Sequence, residues 1–105
     1  MSNILIAFDE STTCTGYAVF KDEELIDYGA ITQKSKNVIE RVSEIAYAVE
    51  DLINHYEPND IAIENVQITM SAPTAKSLMG LQLLIEILCY RKQIHCETIR
   101  TAHWR

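Results

Sequence analysis

The stretch from Ile4 to Phe20, ILIAFDESTTCTGYAVF, decides the fold of this chain. Residues 4–8 are a nearly continuous apolar run, which is typical of a central strand covered on both faces. Asp9 ends that run, with Glu10 beside it, and TGYAVF then begins a second apolar segment. Spacing this tight predicts an antiparallel hairpin, with an acid placed where the first buried strand ends.

The composition predicts one small folded domain. The chain has 105 residues, of which 48% are hydrophobic, and only two prolines and three glycines. No cleavable signal opens it, and the longest apolar stretch is interrupted by Gln82 and Glu86, so no membrane span is expected. Cys14, Cys89 and Cys96 form no CxxC pair. We interpret them as reduced thiols of an intracellular, cytoplasmic protein, with neither a disulfide framework nor a zinc site.

Charge is distributed unevenly along the chain. Residues 1–70 hold 13 acids against four Lys or Arg, whereas residues 71–105 hold two acids against five Lys or Arg. The net charge of -6 argues against nonspecific nucleic-acid binding. A basic face built mostly by the second part of the chain remains compatible with this distribution.

Further elements follow the opening hairpin. ELIDYGAI predicts a third strand after the turn KDEE, and apolar residues at three- and four-residue steps predict a helix from Val38 to Tyr56, capped by Asn37. IAIEN predicts a short buried strand, a second helix runs from Pro73 to about Lys92, and IHCETI predicts a fifth strand. The order indicates an α/β mixed sheet flanked by helices.

The second helix is apolar almost all round, so it is either wedged in the core or meets another subunit on one side.

Two strand-end carboxylates are the candidate site. Asp9 ends the first strand and Glu64 the fourth; if these strands are parallel neighbours, both side chains emerge at one edge of the sheet. Like charges about 4 Å apart repel by roughly 4 kcal/mol at an effective dielectric of 20. A buried pair would therefore have a raised pKa or bind a cation, and oxygen ligands favour Mg²⁺ or Mn²⁺. On spacing alone, two solvent-facing acids are the favoured interpretation, because acids at strand ends are frequent.

The surrounding residues carry a more specific signal. The strand ending in Asp9, followed by Thr15-Gly16-Tyr17-Ala18-Val19, resembles the opening of the RuvC family of Holliday-junction resolvases. DIAIENVQITMSAPTAKSLMGLQ resembles that family's second motif, with Glu64 and Gly80 at the matching places, and TAHWR resembles its Trp-Arg segment. The likeness spans the whole chain in consistent order and indicates a divergent, phage-type branch.

The resemblance implies an RNase H-like fold, a homodimer, and cleavage of Holliday junctions and other branched DNA with Mg²⁺ or Mn²⁺, two ions per active site. It assigns Asp9 and Glu64 as catalytic metal ligands: Asp9 bridges both ions, and Glu64 holds one and helps orient the attacking water. The second helix would form part of the two-fold interface, and we expect its apolar residues there, namely Leu78, Leu81, Ile85 and Leu88.

Three departures from the family pattern shape the expectations. The family's other carboxylates lie on a final helix, whereas this sequence ends at Arg105; residues 1–105 are therefore expected to be a single, C-terminally incomplete nuclease domain, weakly active or inactive alone. Glu10 replaces the usual proline or glycine, and strand alternation points it away from Asp9. The loop after Glu64 lacks the aromatic residue that cellular members use against junction bases. Weak sequence specificity is therefore expected.

DNA contacts are expected from residues near the two acids. Lys76 stands one helical turn past the loop and could reach a backbone phosphate, or be a solvated lysine. Ser11, Thr12 and Thr13 could donate hydrogen bonds to phosphate, or only form the corner between strands. Gln67 and Met70 occupy the loop itself, where an apolar side chain could wedge between bases or simply pack.

Two rival functions come from other classes. Actin-like and sugar-kinase ATPases also open with a strand, an aspartate and a Thr pair. Their phosphate loop needs a glycine two residues after the aspartate, where this chain has Ser11. A non-catalytic module that binds branched DNA is the non-enzymatic alternative, favoured by the missing carboxylates and the acidic balance.

Overall fold

The opening stretch forms the centre of a five-stranded sheet. The computed structural model describes residues 3–9, 14–32, 35–65 and 72–100, and the side chains of 65, 72–78, 99 and 100 lie outside this description. The described elements follow the predicted order: β1 (Ile4–Asp9), β2 (Cys14–Lys21), β3 (Glu24–Thr32), α1 (Val38–Tyr56), β4 (Asp60–Asn65), α2 (Ala72–Lys92) and β5 (His95–Arg100).

The sheet is mixed, and its strand order places β1 at the centre. The order is β3-β2-β1-β4-β5, with β2 antiparallel to both β1 and β3. β4 runs parallel to β1 and to β5. A two-residue turn closes the β2–β3 hairpin with positive φ at Asp22 (51°) and Glu23 (72°), the backbone of a type I′ turn. The predicted meander followed by alternating helices and strands is thus confirmed.

One face of the sheet is packed by both helices. Residues that face each other across neighbouring strands share a face, so the alternation in β1 sends Ile6 and Phe8 to one side together with Val19, Ile61 and Ile63. All five are at most 2% exposed. They form one core with three residues of α1 and three of α2, which are Ile45, Val49, Ile53, Leu81, Ile85 and Cys89.

The opposite face of the sheet carries small side chains and the two acids. Ala7 and Asp9 of β1 share that face with Ala18 and Gly16 of β2, and with Ala62 and Glu64 of β4. Among the described elements both helices lie on the other side, so none remains to cover this face. The predicted burial of β1 on both faces is therefore observed on its helix side only. We call the two sides the helix face and the acid face.

Helix α1 has the ends that its sequence predicts. The Asn37 side chain accepts a hydrogen bond from the Glu40 amide (3.0 Å), and Glu57 takes a left-handed conformation with φ 48° just before Pro58. Near the helix end, the Tyr56 hydroxyl donates to an Asp27 carboxylate oxygen at 2.5 Å, which joins α1 to the edge strand β3. This hydrogen bond is the main reason that the pKa of Tyr56 lies above its usual value.

Helix α2 packs one of its apolar sides into the core. Leu81 and Ile85 are 1% and 0% exposed, because they pack into the core against the sheet. The expectation that these two residues form a subunit interface is therefore wrong: they have no surface left for a partner. Leu88 is half-buried, and the side chain of Leu78 lies outside the described part. Within the described ranges, no helix is long and apolar enough to cross a membrane.

Candidate metal centre

The parallel pairing of β1 and β4 brings the two predicted acids together. Asp9 is the register partner of Glu64, and each is at or next to the last residue of its strand. Neighbouring strands lie about 4.8 Å apart, and register partners project from the same face. The two carboxyl groups consequently stand side by side at the carboxyl edge of the central strands, which is where ligand sites of such sheets collect.

The electrostatics of the pair affect Glu64 most clearly. Asp9 is exposed, whereas Glu64 is partly buried. Burial raises the pKa of Glu64 above its usual value, and a hydrogen bond between the two carboxyl groups and the negative charge of Asp9 raise it further. A cation bound between the two acids would offset the repulsion between their negative charges.

A cleft lies directly in front of the acids. Its volume is about 360 Å³, and its lining combines the acids with small residues of the acid face and with backbone around them: Ala7, Phe8, Asp9, Gly16, Tyr17, Ala18, Gly29, Ala62 and Glu64. Small side chains create the space, because larger ones at Ala7, Ala18 or Ala62 would project into it. A Cβ at Gly16 would lie 4.0 Å from the Asp9 Cβ, so any longer side chain there would crowd the carboxylate.

On the helix face of the β2–β3 hairpin, a tyrosine packs closely over a glycine. Tyr17 and Gly29 are register partners on β2 and β3. The Tyr17 ring lies across Gly29 so closely that a Cβ at position 29 would meet the hydroxyl oxygen at 2.8 Å and the ring carbon beside it at 2.9 Å. Real Cβ atoms are essentially never that close to another heavy atom. Gly29 therefore leaves room for the Tyr17 ring, which shares the helix face with Phe8 and packs against the core there.

The donor set fits a hard cation. Asp9 and Glu64 offer only oxygen ligands, which suit Mg²⁺ or Mn²⁺. Within residues 3–9, 14–32, 35–65 and 72–100, no group of three His, Cys, Asp or Glu side chains converges on one point. Glu97 of β5 is exposed on the acid face beside Ala62, and strand β4 separates it from Ala7 of β1. The described part of the chain thus offers one pair of carboxylates and no third His, Cys, Asp or Glu side chain that converges with them.

The remaining predicted contact residues are not placed by the structure. Ser11, Thr12, Thr13, Gln67 and Met70 lie outside the described residues, as do Glu10 and the TAHWR segment. Lys76 lies within helix α2, but the structure does not describe its side chain. Their assigned roles stay predictions.

Two features near the acids were not predicted from the sequence. The alternating small residues of the acid face form the cleft, and their signal was available in the sequence as Ala7, Gly16, Ala18 and Ala62 flanking the acids. Thr15, next to Gly16, is fully buried on the helix face, and its hydroxyl has no hydrogen-bond partner in the described part of the protein. Nothing in the sequence distinguished that hydroxyl from an ordinary strand threonine.

Comparison with known proteins identifies the relatives of this chain. Residues 5–98 match the family described as crossover junction endodeoxyribonuclease RuvC. The protein of that name from Alkaliphilus metalliredigens is 34% identical over 77 residues, which cover 69% of this chain and 47% of the relative. The one from Dictyoglomus thermophilum is 30% identical over 95 residues, covering 86% of this chain and 60% of the relative. The chain thus spans about half the length of these relatives.

Solved structures agree on the fold. The T. thermophilus RuvC, determined in complex with a Holliday junction substrate, superposes with a TM-score of 0.81 over 95% of this chain and 66% of that protein, at 12% identity. The fold is therefore the RNase H-like fold of the RuvC proteins, as the resemblance implied. A Bacteroides thetaiotaomicron protein with an actin-like ATPase fold matches less well, with a TM-score of 0.57 at 8% identity and over 32% of its length.

Proposed function

The chain belongs to the RuvC family of crossover junction endodeoxyribonucleases, and from that premise we propose that it cleaves Holliday junctions and other branched DNA by phosphodiester hydrolysis. The observation that carries the proposal is the pairing of Asp9 with Glu64 in parallel register at the mouth of a cleft. Because the chain spans about half of its relatives, the activity is proposed for the protein of which this domain is part.

Asp9 and Glu64 would hold the metal in this proposal. Their shared hydrogen bond shows that the two carboxyl groups lie close enough to compete for one cation, which is Mg²⁺ or Mn²⁺ by the chemistry of oxygen donors. Two such ions, when bound, would supply Lewis-acid activation of the phosphodiester and of the attacking water. In that site Asp9, the more exposed acid, would hold the ions together with Glu64, and Glu64 would also help to orient the attacking water. The resemblance assigns two more carboxylates to a helix that follows the fifth strand, so this pair is half of the expected ligand set.

The DNA would approach from the acid face. The cleft opens there, and the small side chains of Ala7, Ala18 and Ala62 let a phosphate come close to the strands. We keep Lys76 and the hydroxyl residues Ser11, Thr12 and Thr13 as proposed phosphate contacts, and Gln67 and Met70 as proposed contacts to junction bases. Under this proposal the protein would recognise the shape of the branched DNA more than its base sequence. Contacts to phosphates carry no sequence information, whereas contacts to base edges do.

We also propose a homodimer, with its interface on the outer side of α2. Four apolar side chains at three- and four-residue spacing are exposed there, opposite the buried Leu81 and Ile85: Met79 (63%), Leu83 (57%), Ile87 (42%) and Tyr90 (86%). Next to them, a groove of about 240 Å³ runs between α1 and α2, lined in part by Tyr47, Leu84, Ile87 and Leu88. A two-fold axis through this surface would give two active sites, as paired incisions require.

A second proposal concerns the setting. We propose that the protein is a phage-type member of the family that acts in the cytoplasm of a bacterial host, in which case its substrates would be the junctions and forks of replicating DNA.

The test is junction cleavage with matched acid substitutions. The protein and its Asp9→Asn, Glu64→Gln and Glu97→Gln variants would be incubated with a labelled four-way junction, with or without Mg²⁺ or Mn²⁺, and with linear duplex as the control substrate. We expect Asp9→Asn and Glu64→Gln to abolish cutting while junction binding persists, and Glu97→Gln to cut normally. Undiminished cleavage by Asp9→Asn would refute the assignment.

Two other outcomes point to the rival functions. Junction binding without any metal-dependent cutting, by a protein that includes the segment after β5, would favour a non-catalytic DNA-binding module. Turnover of ATP would favour an actin-like ATPase function, which is supported only by a general likeness of fold. Robust cutting by residues 1–105 alone would show that the remaining ligands lie within this chain.

A further inference from the structure

A pair of cysteines lies where α2 ends and β5 begins. Cys89 is 1% exposed and belongs to the core, while Cys96 is partly buried and packs against that core from β5. The Cys89 thiol and the Cys96 sulfur are joined by a hydrogen bond. Neither residue has a part in the proposed nuclease site, because Cys96 lies on the helix face near the start of β5, far along the strand from the edge that carries Glu64.

A rigid turn brings the two sulfurs together. The amide of Ile94 donates to the Cys89 carbonyl at 2.9 Å, and the amide of Gln93 donates to the Tyr90 carbonyl at 3.2 Å. Gln93 has φ 58°. These two bonds and the left-handed residue are a Schellman motif, which reverses the chain at the end of a helix. The reversal lays the first residues of β5 against the last turn of α2, and β5 is then held in place by its pairing with β4.

The two thiols differ in their surroundings. The hydrogen bond from Cys89 stabilises the Cys96 thiolate and lowers the pKa of Cys96, although burial and the nearby Glu86 carboxylate oppose this shift. The same hydrogen bond, together with burial, raises the pKa of Cys89. Cys96 is thus the more accessible of the two sulfurs, and the lowered pKa of Cys96 beside the raised pKa of Cys89 favours Cys96 as the nucleophile.

We propose that Cys96 and Cys89 form a peroxide-responsive thiol pair, in which Cys96 is oxidised first and Cys89 then closes an intramolecular disulfide. The oxidant is a hydroperoxide. The Cys96 thiolate attacks one peroxide oxygen, the O–O bond breaks and hydroxide leaves, which gives a sulfenic acid on Cys96. The Cys89 sulfur then attacks the Cys96 sulfur, the S–O bond breaks, and the Cys89 proton leaves with the departing hydroxyl as water. Overall, two thiols and one peroxide give one disulfide and two water molecules when the peroxide is H₂O₂.

The disulfide would pin the end of α2 to β5. It closes a short loop that the Schellman motif already holds nearly shut, so little rearrangement of the backbone is needed. Both joined elements belong to the core that supports β4, so we expect the oxidised protein to melt at a higher temperature than the reduced one, reversibly with a thiol reductant. Such reversible bridges are the usual kind in reducing compartments.

The test uses a cleavage pattern that the sequence provides. Arg91 and Lys92 lie between the two cysteines, so trypsin separates Cys89 from Cys96 unless a disulfide joins their peptides. The reduced protein would be treated with one equivalent of hydrogen peroxide, blocked with iodoacetamide, digested without reductant and analysed by mass spectrometry. We expect a linked pair of peptides, Ser77–Arg91 with Gln93–Arg100, that a reductant separates.

Matched variants separate this mechanism from general oxidation. Cys14→Ser should form the bridge as the unaltered protein does, because Cys14 lies on another strand, β2, at the opposite end of the sheet from the pair. Cys89→Ala keeps the core apolar and should leave a sulfenic acid on Cys96 that dimedone traps. Cys96→Ala should leave Cys89 unmodified in the folded protein. Circular dichroism would verify that each variant is folded.

Three outcomes would overturn the proposal. The first is a bridge that contains Cys14 or joins two molecules. The second is dimedone labelling of Cys89 in preference to Cys96. The third is further oxidation of Cys96 to the sulfinic acid with no linked peptides in the unaltered protein. None of these outcomes bears on junction cleavage, so this proposal and the proposed function stand or fall separately.

Discussion

On its two faces the sheet uses the same two strands, β1 and β4, for opposite purposes. On the helix face, Ile6, Phe8 and Ile63 are buried at 2% exposure or less. On the acid face, the residues immediately beside them are Ala7, Asp9 and Glu64, which line an open cleft. Because successive strand residues point to opposite sides, each carboxylate is rigidly held by a buried neighbour one position away. The core on the helix face thus supports the site on the acid face.

The largest effect should come from the acids. We expect Asp9→Asn to reduce junction cleavage by roughly 100-fold or more, since a bound cation supplies several kcal/mol to the transition state and each 1.4 kcal/mol is about tenfold in rate. Thermal unfolding should change little, because Asp9 is exposed. Single-turnover cleavage and a melting curve of the same preparation would measure both. A large loss of stability in Asp9→Asn would show that the faces are not independent.

Next in size is the effect of deleting core volume. Ile6→Ala should lower the free energy of unfolding by about 2–5 kcal/mol, because the side chain is fully buried and a cavity remains. Leu5→Ala, on the acid face one residue earlier, should cost clearly less, since Leu5 is only partly buried. Urea unfolding of both variants gives the comparison. Equal losses would mean that the acid face is covered as tightly as the helix face in the intact protein.

A smaller effect is expected from two glycines in contrasting surroundings. Gly29→Ala should destabilise the protein by about 1–3 kcal/mol, because the new Cβ would displace the Tyr17 ring. Gly80→Ala meets nothing within 4 Å and lies in α2, so it should stabilise by up to about 1 kcal/mol. Urea unfolding would check both signs. If Gly80→Ala is stable yet impairs junction cleavage, Gly80 is needed for close approach by a partner or by DNA.

The smallest effect is a shift in the pH dependence of Cys96 alkylation. The hydrogen bond from Cys89 lowers the pKa of Cys96, so its thiolate should persist to a lower pH than that of an ordinary cysteine, whose pKa is 9.0. The rate of alkylation of Cys96 by iodoacetamide, followed by mass spectrometry, should therefore reach half its maximum below pH 9. In Cys89→Ala that midpoint should move upward, because the donor is gone. An unchanged midpoint would indicate that the hydrogen bond does not control Cys96.

Much of the fold was predictable because local signals agreed with the tertiary arrangement. The apolar run of β1, the Asn37 cap and the stop at Pro58 each fix an element boundary without knowledge of the rest of the chain. The pairing of Asp9 with Glu64 followed from a more global rule, that parallel neighbours end at one edge. Both acids could be located, although the extent to which burial raises the pKa of Glu64 could not.

The prediction that failed concerned which side of helix α2 packs against the sheet. Its sequence is apolar nearly all round, so periodicity could not tell which side meets the sheet, and Leu81 and Ile85 were assigned to an interface instead of the core. The Cys89–Cys96 contact was also hidden, since it depends on the turn at Gln93 that reverses the chain. These features arise from the packing of whole elements, which local patterns do not encode.

Binding of Mn²⁺ tests the central claim most directly. Paramagnetic broadening of amide signals in the ¹⁵N-labelled chain reports where the ion sits, whether or not this domain cuts DNA alone. The account predicts that signals at the ends of β1 and β4, around Asp9 and Glu64, broaden first, and that Asp9→Asn removes this effect while Glu97→Gln does not. Broadening centred on the acidic turn from Asp22 to Glu24, or unchanged in Asp9→Asn, would contradict it.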